Sequence, residues 1–82
     1  MAKQITIDCT LITDDQTAHD VFAQAMEFPS YYGRNLDALY DCLGEVYNKT
    51  IIIMHSSHVE EKILATFSDA AEENPYLTLI LD

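Results

Sequence analysis

The sequence predicts one α/β domain over residues 1–82, a small three-stranded parallel sheet packed by helices in the order β-α-α-β-α-β. Strand-like apolar runs at residues 4–9, 50–55 and 76–81 alternate with helical segments, which is typical of this fold class. The last two runs are apolar without alternation, as in buried parallel strands. The 82 residues are 49% hydrophobic, enough for one core but too few residues for two domains.

Alternation and capping signals define the first strand and helix. Residues 4–9 alternate apolar and polar side chains, and the Thr13–Gln16 segment has the form of a capping box that begins a helix. Pro29 ends the element. The apolar residues between share one helical face: Ala18, Val21, Phe22, Ala25 and Met26.

A loop with two adjacent aromatics, Tyr31 and Tyr32, precedes the second helix. Such a pair is interpreted as one core and one partly exposed residue, or as an exposed anchor for a binding partner. Asn35 is the predicted N-cap, and Gly44 marks where the helix stops. The predicted apolar stripe follows helical spacing: Leu36, Leu39, Tyr40, Leu43 and Tyr47.

The C-terminal half predicts a strand, a helix and a strand. The β-branched run at residues 50–55 suggests a strand buried on both faces. The Ser57–Glu60 segment resembles a capping box, and Asn74 with Pro75 stops the helix behind it. Its predicted inward residues are Val59, Ile63, Phe67, Ala70 and Ala71. Residues 76–81 form the third strand.

Charge limits the classes of partner. Four basic and 14 acidic residues give a net charge of −10, which repels phosphate backbones and anionic membrane surfaces. We therefore expect no direct nucleic-acid or membrane binding and a cationic protein partner. No apolar run reaches the length of a membrane span, no signal peptide is evident, and Cys9 and Cys42 make no disulfide framework. These features predict a cytoplasmic protein.

Acidic residues occupy helix positions where they reduce stability. Asp37, Asp41 and Glu45 are spaced i, i+4, i+8 and line one face, although like charges at that spacing destabilise a helix. A second group crowds the C-terminal half of the third helix, where the helix dipole disfavours anions: Asp69, Glu72 and Glu73. The two interpretations are a solvated acidic face and an anionic docking surface.

Catalytic and metal-binding signals are weak. His55 and His58 span a strand end and a helix start and need not face each other, and His19 stands apart in the sequence. Nothing concave is implied around Asp37 and Asp41, and the chain has no glycine-rich phosphate loop. We therefore expect no metal, no cofactor and no enzymatic activity.

Residues 29–43 read PSYYGRNLDALYDCL and resemble the core signature of the barstar family, intracellular inhibitors of the bacterial ribonuclease barnase. The order of elements is also similar. The resemblance implies a three-stranded parallel sheet and a second helix that, with the loop before it, plugs the nuclease active site. The segment from Gly44 to Phe67 is shorter than in the family, which implies that a helix before the last one is missing.

The resemblance also assigns roles on the second helix. Asp41 would replace a substrate phosphate, and Asp37 would pair with a basic residue at the mouth of the nuclease site. Gly44 lies near the helix end that touches the enzyme. Tyr40 stands where the family has a tryptophan, at the partner-facing surface.

The remaining implied contacts lie in the loop and on the last helix. Tyr31 would lie against the catalytic histidine of the nuclease. Gly33 and Asn35 would contact its guanine-recognition side, and Asp69 matches an acidic family position. Arg34 stands where the family has an acidic residue.

These roles imply an immunity protein of the toxin–antitoxin kind. It would bind a basic ribonuclease, or the ribonuclease domain of a toxin, one to one in the cytoplasm. The alternative is an acidic module that binds a basic protein other than a ribonuclease.

Overall fold

The computed structural model describes residues 3–82 and contains one parallel sheet in the strand order β1-β2-β3. The strands are β1 (Lys3–Asp8), β2 (Lys49–Met54) and β3 (Leu77–Leu81). The helices are α1 (Asp15–Met26), α2 (Leu36–Gly44) and α3 (Glu61–Glu73), and a 3₁₀ turn spans Ser56–His58. The predicted fold class and order of elements are confirmed. No helix within residues 3–82 is long and apolar enough to span a bilayer.

The sheet buries one face and leaves the other open. Ile51 and Ile53 of β2 are fully buried. Ile7 of β1 pairs in register with Ile53 and is also buried. On the opposite face Ile52 is only half-buried and Ile80 is exposed. The prediction that β2 is buried on both faces is therefore wrong. Both crossovers run in the same direction across the sheet, so right-handed connections place every helix on the same face.

The core joins the helices over this covered face. Phe22 of α1 and Phe67 of α3 are fully buried and meet edge to face, with ring centroids 4.9 Å apart. Such aromatic pairs contribute more than their buried area alone. Leu39 and Leu43 anchor α2 in the same core.

Two helix starts differ from the sequence prediction. Asp14, rather than Thr13, caps α1, because its Oδ1 accepts the Thr17 N–H at 2.8 Å. Ser57 lies in the 3₁₀ turn and does not cap α3. Glu60 is the N-cap residue of α3 but makes no side-chain capping bond; its carboxylate lies 3.2 Å from Lys62 Nζ instead.

The apolar stripe of α2 is shorter than predicted. Leu39 and Leu43 are buried, but Tyr40 is 39% exposed and Tyr47 is 67% exposed. The helix ends at Gly44 after nine residues, as its glycine predicts, so Tyr47 lies beyond it. The predicted stripe is therefore buried at Leu39 and Leu43 but not at Tyr40 or Tyr47.

Asn74 connects the ends of α2 and α3. Its side chain is buried, and Nδ2 donates to the carbonyl oxygens of Leu43 at 3.0 Å and Val46 at 2.8 Å. Its Oδ1 accepts the Tyr76 N–H at 2.9 Å. One amide thus bonds to carbonyls at and just beyond the end of α2, adding to the Val46 N–H that the Leu43 carbonyl also accepts, and fixes the turn into β3.

Replacing Asn74 with alanine is expected to lower the free energy of unfolding by about 1–3 kcal/mol, because buried backbone groups lose their partners. Urea titration followed by circular dichroism measures this change. The control Gln24→Ala removes an exposed amide and is expected to stay within about 0.5 kcal/mol of wild type. Equal stabilities for the two variants would contradict the role of Asn74.

Candidate partner-binding site

All eight residues assigned from the resemblance lie at the surface. Seven belong to α2 or the segment before it: Tyr31, Gly33, Asn35, Asp37, Tyr40, Asp41 and Gly44. Asp69 is exposed on α3, the helix that packs against α2. The structure therefore leaves each of them accessible to a partner.

Short-range bonds shape the start of α2. The Asn35 Oδ1 accepts the Ala38 N–H at 2.8 Å, which confirms the predicted N-cap. The Asn35 Nδ2 donates to the Gly33 carbonyl at 3.3 Å. A Cβ atom on Gly33 would lie 3.3 Å from both Ala38 Cβ and Asn35 Nδ2, closer than most real contacts. Gly33 thus lets the loop approach the helix.

The two adjacent tyrosines have opposite environments. Tyr31 is 83% exposed, whereas Tyr32 is 8% exposed and packs on Phe28 with ring centroids 4.8 Å apart. This confirms the interpretation of one core and one exposed aromatic. Tyr32 fixes the loop from inside, and Tyr31 projects from the fixed loop into solvent.

The loop is also joined to α1 by two side-chain links. The Tyr32 hydroxyl lies 2.6 Å from Nδ1 of His19, a buried residue of α1. At the surface, the Arg34 side chain forms an ion pair with Asp20 of α1. The backbone of Arg34 is in the left-handed region, with φ 57°. Together these two links attach the loop to α1 at Tyr32 and at Arg34.

His19 is a core residue that the sequence analysis grouped with candidate metal or acid–base residues. Burial lowers the pKa of His19 and raises the pKa of Tyr32 to about 12, so both groups stay neutral at pH 7. Either neutral imidazole tautomer can keep the hydrogen bond without a buried charge. His19 has helical spacing to Phe22 and Met26, and this signal could have identified it as a core residue.

The carboxylates of α2 have no cationic partner among the described residues. Ion pairs within residues 3–82 involve the acids Asp8, Asp15, Asp20 and Glu60. None of these pairs includes Asp37, Asp41, Glu45 or Asp69. Asp37 lies in the first turn of α2, where the helix dipole favours an anion, but Asp41 does not.

Two depressions flank the ridge formed by α2. A depression of about 180 Å³ brings together Tyr31, Gly33 and Asp41. A groove of about 370 Å³ contains Tyr40 and Gly44 and is completed by the end of α3 and the following turn. Asp69 precedes Ala70, which lines that groove.

The histidines at the opposite end of the sheet form a separate polar cluster. His55 Nδ1 lies 3.1 Å from Asp8 Oδ1 and 2.9 Å from Thr10 Oγ1, while the His58 ring centroid is 6.3 Å from that of His55. Within residues 3–82 no group of three or more candidate ligands could hold a metal ion. Burial, with Glu45 and Asp41 nearby, raises the pKa of the Cys42 thiol and disfavours its nucleophilic form.

Comparison with known proteins identifies a family and a curated relative. The family model described as Barstar (barnase inhibitor) matches residues 2–76, which include the loop and α2. The protein named "Putative ribonuclease inhibitor YrdF" of Bacillus subtilis strain 168 is 34% identical over 68 residues. That alignment covers 82% of this chain and 75% of the relative.

The buried His19 predicts a pH-dependent stability. Its pKa is lower in the folded state than in the unfolded state, so the unfolded state binds more protons below about pH 6.5. The free energy of unfolding is therefore expected to fall as the pH is lowered from 7 to about 5. Chemical denaturation at several pH values measures this slope.

Two variants isolate the histidine responsible. His19→Gln removes the titrating group and is expected to flatten the slope, whereas His58→Gln, an exposed histidine, should keep the wild-type slope. A wild-type slope in His19→Gln would show that other groups cause the dependence.

Proposed function

The chain belongs to the barstar (barnase inhibitor) family, and we propose that it inhibits a basic bacterial ribonuclease by covering its active site. The covering surface consists of α2 and the loop before it. The observation that carries this proposal is the exposed row of α2 carboxylates without cationic partners in the described chain, beside the exposed Tyr31.

The chemistry of ribonucleases supports this assignment. An enzyme that cleaves RNA must stabilise a phosphodiester anion, so its active site concentrates Arg, Lys and His. Carboxylates on a rigid helix offer the same charge to those cations but contain no bond to cleave. Inhibition therefore needs occupancy alone, and the chain itself acts as a non-enzymatic binding protein.

Each α2 acid has a proposed role. Asp41 occupies the place of a substrate phosphate, and Asp37 pairs with a basic residue at the mouth of the site. Because neither is in an ion pair within the described chain, binding breaks no such internal pair. Desolvating charges is costly, so tight binding requires a cation for each carboxylate.

The loop and flanking positions extend the contact. Tyr31 stacks on the catalytic histidine of the nuclease, and Gly33 with Asn35 contacts its guanine-recognition side. At the other end Tyr40 and Gly44 meet the enzyme surface, and Asp69 adds a charge from α3. This list completes the proposed partner-binding set.

Arg34 is compatible with an anionic surface because of its neighbour. Arg34 belongs to the loop before α2, but the ion pair with Asp20 compensates the charge of its guanidinium.

We propose a cytoplasmic immunity protein that binds its nuclease one to one. A toxin carrying a ribonuclease domain fits the same chemistry as a secreted ribonuclease.

A second candidate function is binding of a basic protein that is not a ribonuclease. The observation that favours it is the identity of Arg34 and Tyr40, which differ from the family pattern at the partner-facing surface. Both candidates use the same carboxylates, so the nuclease assay separates them.

Asp41→Ala is expected to weaken inhibition of barnase by about 2–5 kcal/mol, mainly through faster dissociation, because a nuclease cation is left unpaired. The inhibition constant comes from RNA cleavage by barnase at increasing inhibitor concentration. The control Glu61→Ala removes an exposed acid from the first turn of α3 and should bind as wild type. Equal losses in the two variants would reject the proposed site, and a wild-type chain that leaves barnase active in molar excess would reject barnase as the target.

Salt is expected to slow association with barnase, because opposite net charges steer the encounter and ions screen that attraction. Stopped-flow fluorescence from about 25 to about 500 mM NaCl measures the association rate constant, and the dissociation rate constant should change much less. An association rate constant independent of salt would contradict electrostatic steering.

A further inference from the structure

A groove between the C-terminal ends of α2 and α3 combines two tyrosine rings with a carboxylate that is not part of the proposed α2 row. It has a volume of about 370 Å³ and is lined by Tyr40 and Gly44 from α2, Glu73 from α3, and Tyr76 from the turn before β3. We propose that this groove binds an arginine side chain of the basic protein partner. The inference rests on the proposed function and adds a second type of contact to the same interface.

The aromatic wall of the groove is exposed. Tyr40 is 39% exposed and Tyr76 is 54% exposed. Tyr76 stacks on Tyr47 with ring centroids 4.5 Å apart and rings inclined by 38°. This stacking restrains the Tyr76 ring, which lines the groove together with Tyr40.

Charge favours a cation as the occupant. Glu73 is the charged residue that lines the groove, and the chain as a whole carries a net charge of −10. The backbone N–H of Lys49 donates to the Tyr76 carbonyl at 3.0 Å, but Lys49 lines a different depression and is not among the residues that line the groove. The side-chain amide of Asn74, which also lines the groove, already bonds to backbone groups. The tyrosine rings and the Glu73 carboxylate are therefore the groups that would contact a bound side chain.

The geometry favours arginine over lysine. A planar guanidinium stacks on an aromatic ring and also forms two parallel hydrogen bonds with one carboxylate. The groove offers both kinds of partner. A lysine ammonium is compact and more strongly hydrated, so it would use the carboxylate but gain less from the rings.

An interface of ordinary size extends beyond α2. A stable interface buries about 800 Å² on each partner, which is a large share of the 5101 Å² of accessible surface of this chain. A helix of nine residues spans only about 13 Å. Because Tyr40 and Gly44 belong to the proposed interface and also line the groove, a partner seated on α2 reaches it directly.

The first experiment probes the groove without any nuclease. Arginine amide is titrated into the full chain and followed by NMR of the Tyr40 and Tyr76 ring resonances. Citrulline amide, which keeps the shape but lacks the charge, serves as the matched probe. We expect saturable shifts with arginine amide and binding at least about threefold weaker with citrulline amide. Equal binding of the two probes, or shifts spread evenly over the surface, would overturn the proposal.

The second experiment places the groove in a complex with barnase. Tyr76→Ala and Glu73→Gln are each expected to weaken binding by about threefold or more, and Tyr76→Phe to retain most of it because it keeps the ring. Circular dichroism verifies folding. The controls are Leu11→Ala, an exposed apolar residue outside the groove, and Glu61→Gln at the other end of α3, both expected to bind as wild type.

The outcomes separate the two proposals. If Asp41→Ala weakens barnase binding while Tyr76→Ala and Glu73→Gln bind as wild type, the groove proposal fails and the inhibitor function stands. If the groove discriminates arginine amide from citrulline amide but the chain leaves barnase active, the arginine site is supported and barnase is rejected as the target.

Discussion

Two parallel crossovers that run in the same direction constrain the rest of this structure. Because each connection is right-handed, all three helices lie on one face of the sheet, and the other face stays open. The helix α2 then has one side to bury, through Leu39 and Leu43, and one side left for solvent. That outer side carries the carboxylates.

Side-chain bonds fix the loop before α2 and the end of α2, while Leu39 and Leu43 anchor the helix itself in the core. The His19–Tyr32 hydrogen bond and the Asp20–Arg34 ion pair fix the loop that presents Tyr31, and Asn74 fixes the end of α2. A surface fixed before binding loses less conformational entropy when a partner docks. The fold thus supplies rigidity where the proposed function requires it.

The acidic surface acts against the stability of the chain that carries it. Asp41 in the last turn of α2 is followed four residues later by a second acid, the C-cap residue Glu45. Glu72 and Glu73 lie where the dipole of α3 disfavours anions, and neither helix has a basic residue in its last turn. Natural sequences break local rules mainly at functional sites. The proposed inhibitor explains this conflict, since the missing cations would come from the nuclease.

The order of elements, the Asn35 cap, the end of α2 at Gly44 and the exposure of the acidic row could be predicted, because each follows from neighbours within one or two turns. Local patterns could not predict which face of β2 is buried, that His19 is a core residue, or that Tyr40 and Tyr76 line one groove. These features depend on contacts between distant segments, such as Asn74 with Leu43, 31 residues apart. A local sequence pattern indicates whether a side chain is polar or apolar and which helix or strand face it occupies. The distant residue that it contacts depends on how the elements pack together.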